Sequence, residues 1–305
     1  LSNHNFAGWY LDKACTIPFE EASFSENLTL YAKWVSNTAH QLTILSFNVN
    51  QPGSGANASK VIDAIKANSP DIVCVQEADQ AFMSTLTGSL SGYSAAYWNV
   101  SGNNGRNSGL TNAIFVKSAT FTAYSSNARW PAGGEGGNKV SYVENGITYT
   151  ANTSTYVHYL IVERKSDGQQ FAILNTQFDA DGNNSHAVAE KIRQKEAEYL
   201  WSQIKGIWDG RGFIPVIITG DFNATSNSTA YNGMTETYGF LDASQIAKQS
   251  TIKNTYGGSV QDYIFVSYHL QQFVESYNVY ETTASDHNAI LVKIAISNIC
   301  PHKLK

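Results

Sequence analysis

An α/β domain preceded by a small β-unit is the fold that this sequence predicts, on three observations. Runs of β-branched and aliphatic residues suited to buried strands alternate with segments whose apolar residues recur at helical spacing. Residues 1–36 stand apart from that alternation, because they set aromatics among short turn signals. Polar, mostly oxygen-bearing side chains sit at the ends of six of the strand-like runs.

The first unit, FAGWYLDKACTIPFEEASFSENLTLYAKW, reads as a small β-element, and Ser36 to Gln41 (SNTAHQ) as a polar linker. The second unit opens with the strand LTILSFNVN. In ASKVIDAIKANSPD, Val61, Ile62 and Ile65 share one helical face, and the helix is expected to end at Asn68, before Pro70. DIVCVQEAD is a buried strand finishing on charged residues, and AIFV at 113–116 is another. From Ser125 to Asn152 the Gly-rich ARWPAGGEGGNKVSYVENG shows little periodicity, and a long loop is expected there. YVHYLIVERKSDGQQFAILNTQ reads as two strands joined by a turn at SDGQ. Val188, Ile192, Leu200, Ile204 and Trp208 then mark an amphipathic helix over 184–208 that covers a sheet. In VIITGDFNAT, Gly220 is expected to let the backbone turn, which leaves Asp221 at a strand end.

Composition narrows the function. With 20 Lys plus Arg against 25 Asp plus Glu, the net charge is −5 over 305 residues, which argues against a passive basic platform for nucleic acid. An enzyme that meets phosphate through metal ions stays open. The three cysteines, Cys15, Cys74 and Cys300, form no disulfide framework, and Cys74 lies inside an apolar run. No apolar stretch is long enough to cross a bilayer, so the chain reads as soluble, and a monomer is expected. The abrupt start in LSNHNFAGWY suits a mature fragment or a piece of a longer chain.

The strand ends carry the chemistry. LTILSFNVN ends in Asn48, DIVCVQEAD in Glu77, FAILNTQFD in Gln177 and Asp179, and VIITGDFNAT in Asp221 and Asn223; VQDYIFVS opens with Asp262 and ASDHNAILVKI with Asp286 and His287. A carboxylate beside a buried strand loses hydration and needs a cation, a proton or several donors. If these ends converge, oxygen ligands dominate, which suits Mg²⁺ or Mn²⁺ better than Zn²⁺.

FNVN, VQEAD, NTQFD, GDFN, DYIFVS and the final SDH occur in the order of the endonuclease/exonuclease/phosphatase superfamily, which residues 42–296 resemble. The resemblance implies a deoxyribonuclease-like, four-layer sandwich of two sheets with helices outside, over a domain at 42–298, and the strand ends in one cleft. It implies that Glu77, with Asn48 and Asp286, holds the divalent cation, and that Asp221 and Asn223 orient water and phosphate. Asp262 would fix the tautomer of His287, whose other nitrogen exchanges protons with water or leaving group. Most hydrolytic members have His where this chain has Gln177, whose amide can donate to phosphate but cannot carry a proton.

Phe6, Gly8, Trp9, Tyr10, Leu30, Tyr31, Ala32, Lys33 and Trp34 resemble the end of an internalin-type B repeat, found on bacterial surface and secreted proteins. An extracellular or cell-surface bacterial setting is the implication. The expected substrate is a phosphoester: a nucleic acid, a phospholipid head group or a small phosphoester. Arg106, Arg129, Trp130 and Lys139 are the candidates for nucleic-acid or substrate contact beside the cleft. A catalytically silent binding or adhesion module on the same fold is the alternative, favoured by Gln177 alone.

Overall fold

The computed structural model describes residues 4–13, 19, 28–36, 40–50, 53, 55–96, 110–129, 139–153 and 157–296. At the N-terminus, β1 (His4–Tyr10) pairs antiparallel with β2 (Tyr31–Ser36) in a two-stranded sheet of its own. The Phe6 ring meets Trp9 and Trp34 edge-on at 5.3 and 5.5 Å, an arrangement favoured by the ring quadrupoles. The next strand, β3 (His40–Asn48), already begins within the stretch expected to be linker.

From there strands and helices alternate: α1 (Ala56–Asn68), β4 (Ile72–Asp79), α2 (Gln80–Ser89), β5 (Tyr93–Ala96), β6 (Leu110–Lys117) and β7 (Phe121–Arg129). Helix α1 ends where the sequence indicates, with Ser69 in the left-handed region donating back to Ile65 and Lys66. Asp79 caps α2 by accepting from the Phe82 amide at 2.7 Å.

Where a long loop was expected, β8 (Ser141–Glu144) and β9 (Ile147–Thr150) form a hairpin. Asn145 and Gly146 both take positive φ at its tip, the signature of a two-residue hairpin turn. β10 (Val157–Arg164) and β11 (Gln170–Gln177) follow, joined at Asp167 and Gly168. Helix α3 (His186–Arg211) buries Ile192, Leu200 and Ile204 as expected. It also buries Arg193 and Glu196, which the apolar spacing does not indicate.

The chain closes with β12 (Val216–Asp221), α4 (Thr229–Asn232), a π-turn at Gly233–Thr237, β13 (Leu241–Asp242), α5 (Ala243–Ile246), β14 (Gln249–Thr251), β15 (Asp262–Val266), a 3₁₀ turn at Tyr268–Phe273, β16 (Val274–Tyr280) and β17 (Ala289–Ile296). Seven strands form one sheet in the order β14-β16-β17-β3-β4-β6-β5, and six form the other, β13-β15-β12-β11-β10-β7.

Period-two alternation sorts the core into layers. Inward residues such as Ile44, Ile72 and Cys74 of one sheet meet Leu160, Ile173, Ile217 and Ile264 of the other. Leu45, Phe47, Val73 and Val75 face out under α1 and α2, while Leu174, Val216, Ile218 and Phe265 face out under α3. The result is the four-layer α/β sandwich. Cys74 is buried, free and pushed up to about 12 by that burial, so it is core rather than chemistry.

Candidate active site

The same alternation aims the polar strand ends. In β11, β12 and β15 the inward positions run Ile173, Asn175, Gln177, then Ile217, Thr219, Asp221, then Asp262, Ile264, Val266. Register places Gln177 opposite Asp221, and Asp221 opposite Asp262. Three polar side chains thus stand in one row across adjacent strands. In the facing sheet, Asn48 ends β3 opposite Gln76 of β4.

Gly220 serves this row differently from the expectation. The strand runs straight through it to Asp221, and a Cβ here would lie 2.2 Å from the Thr176 carbonyl oxygen, so glycine permits close approach of β11 and β12 rather than a turn.

Glu77 needs a special device. Strict alternation would send it outward with Val73 and Val75. Instead β4 is bulged between Val75 and Ala78, and Glu77 takes φ +55°, a left-handed conformation uncommon for glutamate. Gln76 and Glu77 therefore both face inward: Gln76 donates to Ser46 Oγ and Asn175 Oδ1, while Glu77 turns toward the cleft. Such strain persists only where the surroundings fix it.

A polar floor joins the sheets beneath. Asn175 donates to the Val75 and Ala113 carbonyls of the opposite sheet at 2.8 and 3.0 Å, and accepts from Gln76 and Thr219. On this floor, Asn48 Nδ2 donates to both Glu77 Oε1 (3.1 Å) and Asp221 Oδ2 (3.0 Å), while its Oδ1 accepts the Asn50 amide. Gln177 Nε2 donates to Glu77 Oε1 at 2.6 Å. Asn223, at φ +47°, gives its backbone N–H to Asp221 Oδ1 and its amide to the Phe178 carbonyl.

Beside this set lies the acid–imidazole pair. His287 Nδ1 donates to Asp262 Oδ2 at 2.9 Å, and its Nε2 stands 3.9 Å from Asp221 Oδ2. Burial pulls the imidazole down, but the hydrogen bond and charge of Asp262, with Asp221 and Asp286 beyond, outweigh it and raise His287 to about 9. Burial, with repulsion from Asp262, pushes Asp221 up to about 7. The imidazole and the Asp221 carboxyl thus both hold protons more tightly than their ordinary values would allow. Asp286 itself is exposed, with Oδ1 3.2 Å from Ser285 Oγ, whose single hydroxyl hydrogen has the nearer acceptor in the Asn48 carbonyl at 2.8 Å and so ties the loop to β3.

The oxygen-rich donor set fits a hard cation. Among the described residues no hydrogen bond reaches Glu77 Oε2, which leaves it available as a ligand. Asp221, Asp262 and His287 also offer one atom each within 4.8 Å of one another. Because His287 Nδ1 is committed to Asp262, that trio suits proton transfer better than it suits a hard cation.

Arg129 ends β7, and its side chain is outside the described set; Arg106 and Trp130 lie outside the described residues. Lys139 is half-buried and donates to the Asn152 carbonyl. Two contacts have no signal in the sequence: the stacking of Tyr256 and the saturation of the strand-end acid Asp179. Tyr256 stacks on His287, with ring centroids 4.3 Å apart. Asp179 is fully buried and accepts from Asn152 and Thr153.

An endonuclease/exonuclease/phosphatase family protein from Bacteroides thetaiotaomicron superposes with a TM-score of 0.71 at 20% identity, over 88% of this chain and 99% of that one. A mannosyl-6-phosphatase from the same organism gives 0.68 at 20% identity, over 84% and 100%. The D. rerio TDP2 complexed with single-strand DNA product gives 0.61 at 16% identity, over 83% and 98%. These likenesses are of fold. No curated protein sequence matches significantly. Residues 45–287 match the Endonuclease/Exonuclease/phosphatase family, a span that takes in every strand end described above, and the chain belongs to that family.

Proposed function

We propose that the chain is a divalent-metal-dependent phosphoesterase that breaks a P–O bond by attack of water. The observation that carries this reading is the hydrogen-bonded set of Asn48, Glu77, Gln177 and Asp221 beside the Asp262–His287 pair. Glu77 would be the principal ligand for Mg²⁺ or Mn²⁺, with Asn48 and Asp286 assisting. When bound, such a cation polarises a phosphate oxygen and offsets the charge that develops on it.

The chain's own groups do the rest. Asp221, with Asn223 at its side, orients the attacking water and accepts its proton. His287 is held by Asp262 with Nε2 toward Asp221, so it can give a proton to the departing oxygen. Gln177 spends one amide hydrogen on Glu77 and keeps a second for a non-bridging phosphate oxygen.

The substrate is a nucleic acid, a phospholipid head group or a small phosphoester; a mannosyl-6-phosphatase and a DNA-bound TDP2 among the structural neighbours suit that breadth. Residues 1–36 would serve as an attachment or spacing unit on an extracellular or surface-bound bacterial protein.

One contact favours a silent binding module instead: Gln177 occupies an oxygen of Glu77 at 2.6 Å. Turnover of plasmid DNA, RNA, sphingomyelin, an aryl phosphodiester and a sugar phosphate, with Mg²⁺, Mn²⁺ or chelator, decides between them. Metal-dependent release from any of these is expected. Failure of both the wild type and Gln177→His on all of them, with the proteins folded and metal-loaded, would leave the binding reading. Calorimetry should show weaker Mg²⁺ or Mn²⁺ binding in Glu77→Gln, and unchanged affinity would remove Glu77 from the ligands.

A further inference from the structure

We infer that Tyr256 is a substrate-binding wall of this site, selecting phosphoesters whose alcohol portion carries a ring. Its ring lies nearly parallel to the imidazole of His287, with centroids 4.3 Å apart and planes at 21°. His287 is only 6% exposed, whereas Tyr256 is 38% exposed. One side of the phenol is thus covered by the imidazole while much of the residue meets solvent at the edge of the cleft.

Tyr256 is also rigidly held, which an incidental surface tyrosine would not be. It opens a tight turn through Gly257 and Gly258, both at positive φ, closed by reciprocal backbone hydrogen bonds with Ser259. The preceding Thr255 is buried, and its Oγ1 accepts the backbone N–H of both Gln261 and Asp262. On the other flank, Asn288 gives its backbone N–H to the Thr255 carbonyl and its amide to the Asn254 carbonyl. The loop carrying Tyr256 is therefore bonded to the neighbours of both members of the Asp262–His287 pair. Its position relative to the reacting phosphate is set in advance, so a ring stacked there gains contact at little ordering cost. A flat nucleobase or aryl ring, or the C–H face of a sugar, meets the phenol well, and an open-chain alcohol does not.

The inference rests on the phosphoesterase reading, and its test has one arm free of turnover. Calorimetry with phenylphosphonate and 2,3-dihydroxypropylphosphonate, in Mg²⁺, uses ligands with no ester bond to cleave. Tighter binding of the phenyl compound is expected, by roughly tenfold or more. That preference should vanish in Tyr256→Ala and persist in Tyr256→Phe. In turnover, Tyr256→Ala should lower kcat/KM for phenyl phosphate roughly ten- to hundredfold, mainly through KM, and for glycerol phosphate less than threefold. A wild type with no phenyl preference, or equal losses on both compounds in Tyr256→Ala, would overturn the inference and reduce Tyr256 to a support for His287. A wild type that binds the phosphonates with the expected preference yet turns over no ester would sink the phosphoesterase reading alone.

Discussion

Two buried aspartates, Asp179 just beyond β11 and Asp221 at the end of β12, lie on neighbouring strands in opposite surroundings. Asp179 is saturated: Asn152 gives it a backbone and a side-chain N–H, and Thr153 gives it a backbone N–H and a hydroxyl, all at 2.8–3.0 Å. Arg193 and Glu196 of α3 take up its own backbone carbonyl and N–H. Asp221 has donors in Asn48 and Asn223 but faces a second carboxylate and an imidazole, and is pushed up to about 7. The lesson is that burial alone does not make a carboxylate reactive. An acid whose lone pairs are all taken is suited to holding the fold, and one left beside a like charge and a proton donor is suited to the chemistry proposed for Asp221.

The contrast is broken most sharply by exchanging the two effects. Asp221→Asn and His287→Ala should each lower turnover by roughly 10² to 10⁴. Asp221→Asn removes a charge that burial penalises, so its thermal midpoint at pH 8 should equal or exceed that of the parent. A large fall in stability with turnover retained would assign Asp221 to structure.

Asp179→Ala should do the reverse. It orphans donors on Asn152 and Thr153 and should cost about 3 kcal/mol in denaturant unfolding, with turnover of the folded fraction reduced less than tenfold. A stability loss under 1 kcal/mol would show that water replaces the carboxylate there.

A third measurement concerns a buried group that is neither. His158 of β10 faces the inter-sheet layer opposite Asn175, and burial lowers it to about 4. The folded form refuses a proton that the unfolded chain accepts at about 6.5. Its stabilising effect is therefore complete above that value and is lost as pH falls toward 4, by about 3 kcal/mol. His158→Gln should flatten this acid limb, and an unchanged slope would mean that the carboxylates account for it.

The smallest expected effect is at Gln177. Gln177→His should keep turnover within about tenfold of the parent or raise it, and add an ionisation to the pH profile, whereas Gln177→Ala should lower turnover. An unaltered profile in Gln177→His would show that no proton passes at this position.

How much of this was legible in the sequence follows from range. The helix at α3, the hairpin at SDGQ and the polar strand ends are local patterns, and periodicity exposes them. The β8–β9 hairpin is hidden in the sequence because the surrounding glycines mask its Asn-Gly turn. Glu77 could be read as a strand-end acid, but the bulge that turns it inward is invisible without β6 as a partner. Tyr256 and the saturation of Asp179 depend on contacts between separate loops, which no window along the chain contains. Gly220 reads locally as a turn residue, whereas the crowding by Thr176 that requires glycine comes from a neighbouring strand.

The stitching of the two sheets through Asn175, Gln177 and Asn48 has a consequence in time. The bonds that build the cleft join residues 100 to 173 positions apart: Asn175 to Val75, Gln177 to Glu77, Asn48 to Asp221. Contacts of such sequence separation close late, and the seven-stranded sheet is itself completed only when β17 pairs with β3, 244 to 256 positions away. Hairpins and helices would therefore form, with part of the hydrophobic burial, while the cleft remains inert. During refolding, recovery of turnover should lag behind recovery of the far-ultraviolet signal, and its onset would time the completion and docking of the sheets.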